Sequence, residues 1–243
     1  MENSSSNMQR YFVEIKNNNV ILSKDDIFHI TKVMRGKVGD HIEVVDNESH
    51  QVYLAVINSI NPLTIVVQEP ILHNAELDKN VTLFFALAKS DKIEFVIQKA
   101  TELGAKRIVL FQGKRSVVKF SNEDFARKVG RYQAIAKEAS EQCHRQYIPE
   151  IIYIDNLKKI KDYLADVNLF AYELEADKPH YIDELKDAKS VSVIIGPEGG
   201  FDESEAEHLK ELDFIPVSLG KRILRCETAA VYALSVVSYL LEK

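Results

Sequence analysis

The chain has 243 residues, 46% of them apolar and 28% charged, with a formal net charge of −6 at pH 7. That length fits one large domain or two small ones, and it buries a core without metal or disulfide staples. The composition excludes disordered, collagen-like and coiled-coil classes, and two cysteines, Cys143 and Cys226, exclude a disulfide scaffold.

The opening MENSSSNM is polar and lacks the apolar core of a secretory signal. Residues 1–7 therefore read as a disordered extension, with the ordered chain beginning at Met8. The next stretch is rich in strands. Residues 11–15, 41–45, 52–57 and 64–67 are short β-branched runs separated by turn residues. One helix is expected among them, over 25–34, with Ile27, Ile30, Val33 and Met34 on one face and Ser23 or Asp25 as its cap. Several short strands and one helix predict a small barrel over residues 1–72.

After Pro70 the rhythm changes. An unbroken apolar strand over 81–88 precedes a helix carrying Ile93, Val96, Ile97, Ala100 and Leu103 at intervals of three or four, stopped by Gly104. A strand at 107–111 and a long helix at 122–146 follow. Then come strands at 151–154, 168–172, 191–195 and 214–217, alternating with helices at 157–164, 181–186, 203–211 and 227–241. This alternation predicts a mostly parallel α/β sheet over residues 73–243. The most apolar stretch, 229–241, is shorter than the roughly 20 residues of a membrane span. With two reduced thiols and no span, the chain reads as cytoplasmic.

The charge is unevenly spread. Residues 89–145 hold 13 basic and 7 acidic side chains, net +6, whereas residues 146–243 carry a net −8. The basic block fits a polyanion partner, and by charge alone it also fits a solvated helix face. The seven histidines are dispersed, and no Cys/His cluster has the spacing of metal ligands, so no metal is expected.

Ligands of α/β sheets bind beyond the carboxyl ends of strands. Three such ends carry unusual residues: 170–173, ending in Tyr172-Glu173; 195–200, Ile-Gly-Pro-Glu-Gly-Gly; and 218–229, which holds Lys221, Arg222 and Arg225. Glycines in the second let backbone approach a ligand, or simply make a tight turn. The helix after it opens with Asp202, Glu203 and Glu205, which argues against a phosphate there. The loop matches neither a Walker sequence nor G-x-G-x-x-G. In the third, Arg225 either pairs with Glu227 or reaches a ligand.

Taken together, the stretches Ile195-Gly196-Pro197-Glu198-Gly199-Gly200-Phe201 and Leu224-Arg225-Cys226-Glu227-Thr228-Ala229 resemble the SPOUT methyltransferases, and among them the RsmE family of uracil-N3 methyltransferases of small-subunit ribosomal RNA. The resemblance extends to Arg10-Tyr11-Phe12, the run from His29 to Arg35, Leu87-Ala88-Lys89-Ser90-Asp91-Lys92, Gln98 to Gly104, and Ala136 to Gln142 with Arg145. Cys226 departs from it, since relatives often have threonine or another small residue there.

The resemblance implies a SPOUT-type α/β knot behind a PUA-like barrel, a homodimer joined near the last helix, and 16S ribosomal RNA or the assembled small subunit as partner. It implies S-adenosylmethionine held by Tyr172, Glu173, Gly196, Gly199, Gly200, Leu219, Gly220, Ile223, Leu224 and Thr228. Methylation of uracil needs loss of the N3 proton, so Arg225 is expected to polarise the uracil oxygens and Glu198 to act as base or orienting carboxylate. Arg10, Arg35, Lys89, Lys92, Arg131 and Arg145 are the expected RNA contacts, and His29 either joins them or packs on the barrel. The alternatives are another SPOUT activity, on a different nucleotide or a ribose 2′-oxygen, and a non-catalytic RNA-binding assembly factor.

Overall fold

The computed structural model describes residues 8–72, 74–172 and 184–242, and they form two units with separate cores. The extension expected over residues 1–7 lies outside the described residues.

In the first unit β1 (Arg10–Lys16), β2 (Asn19–Ile21), β3 (His41–Asp46), β4 (Val52–Ile60) and β5 (Leu63–Pro70) close a barrel in the order β1-β2-β5-β4-β3. Strand β1 runs parallel to β3, and the other pairs are antiparallel. Alternate residues fill the interior: Tyr11 and Val13, Ile42 and Val44, Ala55 and Ile57, and Ile65. That is the period of two from which the strands were expected. Strand β2 was not expected, being three residues long with a polar start. Asn17 and Asn18, both with positive φ, turn the chain into it.

The helix expected over 25–34 is two structures. Helix α1 (Lys24–Phe28) is capped by Ser23, which exchanges hydrogen bonds with Asp26 in a capping box. A π-helical turn, His29–Val33, then takes over. A π turn holds an extra residue, so the three-and-four spacing falls out of phase. Ile30 stays buried, while Ile27, Val33 and Met34 are exposed. His29 joins the barrel wall, its Nδ1 2.9 Å from the Tyr11 hydroxyl.

Two arginines expected to contact RNA are interior to this unit. Arg10 is 1% exposed; its Nε and Nη2 reach Glu43 Oε2 at 2.9 and 2.7 Å, and its Nη1 donates to the carbonyls of His144 and Arg145. Arg145 is 2% exposed and pairs with Glu76, Nη2 to Oε2 2.6 Å. Removing one partner of such a pair leaves a buried charge unmatched, so neither arginine is free to turn to a phosphate. These contacts place residues 140–147 with the barrel, whose unit runs to Glu76 rather than ending at 72. The long helix accordingly ends at Gln142 rather than 146.

The second unit alternates β6 (Asn80–Ala86), α2 (Ser90–Glu102), β7 (Arg107–Phe111), α3 (Asn122–Gln142), β8 (Glu150–Ile154), β9 (Val167–Ala171), α4 (Glu184–Asp187), β10 (Ser190–Ile195), α5 (Glu203–Glu211), β11 (Phe214–Val217) and α6 (Cys226–Leu241). The sheet order is β11-β9-β10-β6-β7-β8 and every pairing is parallel. Both faces are covered. Val81, Leu83 and Phe85 meet α2 and α6 on one side; Phe84 and Ala86 meet Phe201, Ala206 and Leu209 on the other. Helix α2 stops where expected: Gly104 has φ +85°, and a Cβ there would lie 2.7 Å from Leu77 Cδ1.

The helix expected over 157–164 is a 3₁₀ turn, Leu157–Tyr163. Its buried residues, Leu157 and Ile160, are three apart, the repeat of that geometry. Of the helix expected over 181–186, residues 181–183 lie outside the described residues, and α4 occupies 184–187. Helix α6 buries Ala229, Ala230, Ala233, Leu234, Val237 and Leu241, and exposes Tyr232, Val236 and Tyr239. No helix among the described residues is long and apolar enough to cross a membrane.

Candidate functional site

Strand β6 lies between β10 and β7; the chain runs from it outward through β7 and β8, then crosses to build β9, β10 and β11 on its other side. Crevices form beyond the carboxyl ends of strands at such a switch point. Here a cavity of about 740 Å³ opens, lined by residues that follow β6, β9, β10 and β11. The three strand ends singled out in the sequence meet in it. Tyr172 comes from the first, Gly196, Glu198 and Gly200 from the second, and Leu219, Gly220, Ile223, Leu224 and Arg225 from the third. Glu173 lies outside the described residues.

Two expected residues do not line the wall. The Cβ direction of Gly199 points at Arg115, with Arg115 Cβ 3.2 Å away, so the loop's second glycine serves packing against the loop after β7. Thr228 is exposed within the first turn of α6, outside the cavity lining. Wall residues outside the expected set include Pro197, Phe201, Ser218 and Cys226. Phe201 carries a readable signal, an aromatic directly after two glycines. Ser218 has none, because its role is to accept the Gly220 amide at 3.1 Å.

The glycine loop is braced by its own acids. Asp202 caps α5 in a capping box with Glu205, so this helix start is already compensated, as the sequence indicated. Ser204 and Lys114 hold the Asp202 carboxyl down at about 2. Lys114 N also donates to Glu205 Oε1 at 2.8 Å.

Opposite stands a cluster that the sequence did not foretell. Lys92 Nζ lies 2.6 Å from Glu198 Oε1 and 3.2 Å from Glu227 Oε2. Cys226 Sγ donates to the same Glu227 oxygen at 3.2 Å. The Glu198 contact chiefly, and Glu227 after it, holds the Lys92 ammonium well above the ordinary lysine range. Burial pushes the Glu227 carboxyl up, but its own amide, Cys226 and Lys92 together bring it below the ordinary value. Glu227 is thus taken by Lys92, and among the described residues Arg225 makes no ion pair. Arg225 is exposed at the N-cap of α6 and is among the residues that line the cavity.

Among the other expected RNA contacts, Lys89 is exposed on the cavity rim and Arg35 on the barrel. Arg131 is exposed but forks onto Glu94, at 2.8 and 2.6 Å. Much of the basic block is paired in this way: Lys99 with Glu102, Arg107 with Glu150, and Arg127 with Asp124. No group of three or more His, Cys, Asp or Glu among the described residues could hold a metal.

Burial first, and Glu227 second, push the Cys226 thiol up to about 11. At pH 9 such a thiol is only about 1% thiolate. With Cys143 replaced by serine, alkylation of Cys226 by iodoacetamide is expected to climb about tenfold per pH unit up to pH 10. A plateau near pH 9 would show an ordinary exposed thiol instead.

Comparison with known proteins agrees with this architecture. The family model described as an RNA methyltransferase domain matches residues 75–238, and that described as an RNA methyltransferase PUA domain matches residues 22–69. The chain is 34% identical to the ribosomal RNA small subunit methyltransferase E of Bacillus subtilis, covering 97% of this chain and 98% of that one. It is 35% identical to the protein of the same name from Mesomycoplasma hyopneumoniae, covering 94% and 98%. A crystal structure of the ribosomal RNA small subunit methyltransferase E of Neisseria gonorrhoeae, bound to S-adenosyl methionine, superposes with a TM-score of 0.85 at 26% identity, over 96% of this chain and 98% of that one. The second unit therefore has the SPOUT-type α/β knot fold and the first is a PUA-like barrel.

Proposed function

The chain belongs to the ribosomal RNA small subunit methyltransferase E family, and from that premise we propose that it methylates N3 of a uridine in 16S ribosomal RNA, with S-adenosylmethionine as methyl donor. The observation that carries this reading is the cavity at the strand ends. Its wall includes Arg225, which has no ion-pair partner among the described residues, and Glu198, one of whose carboxylate oxygens is engaged by Lys92.

The residues present fit such a donor. Gly220 has φ +101°, and a Cβ there would meet no protein atom within 4 Å. The backbone is bare on that side, a cradle that a side chain would fill. Ile195, Leu219, Leu224 and Ala229 give the wall apolar surface for an adenine. In this reading Tyr172, Gly196, Gly200, Leu219, Gly220, Ile223 and Leu224 hold the donor, which brings a methyl group on positively charged sulfur.

The chain's own groups then act on the uracil. Arg225 neutralises the carbonyl oxygens as N3 loses its proton, a preorganised charge where negative charge develops. Glu198 Oε1 is occupied by Lys92, and its second oxygen has no hydrogen bond among the described residues. The N3–H bond would break as an O–H bond forms on that second oxygen, and the N3 electron pair would form the bond to the methyl carbon as the methyl–sulfur bond breaks, its electrons staying on a neutral thioether that leaves. Confinement within the loops excludes water and supplies orientation. Lys89, Arg35 and Arg131 are assigned to RNA phosphates; such contacts set affinity rather than site choice. A second copy covering Tyr232, Val236 and Tyr239 completes the assembly as a homodimer, working in the cytoplasm beside the ribosome.

The test is methyl transfer from labelled S-adenosylmethionine to small ribosomal subunits lacking the modification, followed by nucleoside chromatography. A labelled 3-methyluridine peak is expected. Label in another nucleoside, or on a ribose, would replace this reading with a different SPOUT activity. Donor binding without transfer to any RNA would point to a non-catalytic RNA-binding role.

A further inference from the structure

Lys92 was expected on the RNA backbone, and its surroundings argue otherwise. Its side chain is 20% exposed and holds two carboxylates. A phosphate approaching the ammonium would meet both acids, and like charges at such distances repel strongly. The three partners come from three separate elements: Lys92 from the first turn of α2, Glu198 from the glycine loop, and Glu227 from the start of α6. The two carboxylate oxygens on this one ammonium lie less than about 6 Å apart. Without the cation between them they would repel, and Glu198, whose side chain is 40% exposed, has solvent to turn into.

We infer that Lys92 is a positioning residue: its ammonium, held between Glu198 and Glu227, fixes the Glu198 carboxylate at the cavity wall with one oxygen turned to the substrate. This rests on the reaction proposed above and adds to it the device that aims the base. Glu227 is the fixed end of the device, because it sits in the first turn of a sixteen-residue helix and is tied to its own backbone and to Cys226. Glu198 is the movable end, carried on a loop.

Four variants test the inference by turnover: Lys92→Met, Lys92→Arg, Glu198→Gln and the double Lys92→Met/Glu198→Gln. Lys92→Met is expected to lower kcat about 30- to 100-fold with saturating donor and RNA, a typical loss for a misplaced general base. Donor Kd should stay within about threefold, and Lys92→Arg should recover most of the rate. Because Lys92 acts through Glu198, adding Lys92→Met to Glu198→Gln should cost nothing further. RNA affinity of Lys92→Met should keep the wild-type dependence on salt.

Losses that multiply in the double variant would overturn the positioning role. So would a salt slope lower by about one, the signature of a lost phosphate contact. A readout independent of turnover is the ¹⁵N titration of the Lys92 amine in the full chain. Glu198→Gln should lower its midpoint more than Glu227→Gln does, and no change with Glu198→Gln would overturn the pairing itself. Absence of transfer by the wild type would overturn the proposed reaction and the positioning role with it. An active wild type with multiplying losses would overturn the positioning role alone.

Discussion

Replacing Arg225 by alanine is expected to leave the affinity for S-adenosylmethionine within about threefold of wild type while turnover falls about 10²- to 10³-fold. The separation follows from where the residue sits. Arg225 is the N-cap of α6, and its side chain makes no capping hydrogen bond, so truncation spares the helix start. It has no ion-pair partner among the described residues, so its removal strands no opposite charge. What is lost is a charge at the cavity wall, and removing one donor to a developing oxyanion costs about 2.7–4 kcal/mol in transition-state stabilisation. The measurement is single-turnover transfer with donor binding followed by calorimetry. Unchanged turnover would remove Arg225 from the chemistry. A raised KM for RNA with normal kcat would make it a binding contact only.

The contrast between Arg225 and Arg10 shows what a sequence yields and what it withholds. Strands and helices were legible because alternation of two and spacing of three or four follow from backbone geometry alone. Helix α5 (Glu203–Glu211) and strand β11 (Phe214–Val217) fall at the expected residues. The ligand-side loops were legible too, since glycine-rich turns after apolar strands are local signals. Arg10 and Arg145 look in sequence like any basic residue of an RNA-binding surface. Their partners, Glu43 and Glu76, are 33 and 69 residues away, and no local pattern announces a buried ion pair across such a distance. The pairing of Lys92 with Glu198 was hidden for the same reason, the two being 106 residues apart. The π turn at His29–Val33 misled differently. Its sequence has the apolar spacing of an α-helix, and the extra residue per turn is set by packing Ile30 into the barrel.

Gly199 marks the finest limit, because sequence shows which residues can approach a ligand but not which way each faces. The glycine loop offers a direct comparison of two of its members. At Gly196 a Cβ would lie 2.9 Å from Phe201 Cε2 and 3.0 Å from Cδ2. Phe201 is 4% exposed and packs edge-on against Phe170, with ring centroids 5.9 Å apart, in the core that includes Phe84 and Leu209. That ring has nowhere to go, so the loop must move. The loop is held by the Gly200 amide on the Pro197 carbonyl at 2.9 Å and by the Asp202 cap behind it. Gly196→Val is therefore expected to cost about 1–3 kcal/mol of stability through overpacking. Donor affinity should fall by more than about 100-fold, because a ligand held by backbone groups loses several contacts when one loop shifts. Gly199→Ala places its methyl group 3.2 Å from Arg115 Cβ, outside the cavity wall, and should change donor affinity only a fewfold. Calorimetric titration of both variants, with thermal unfolding as the control for folding, decides the matter. Equal losses in the two would mean that the loop responds as a whole rather than through the Phe201 seat. A folded Gly196→Val protein that binds the donor normally would show the loop to be a turn with no part in holding it.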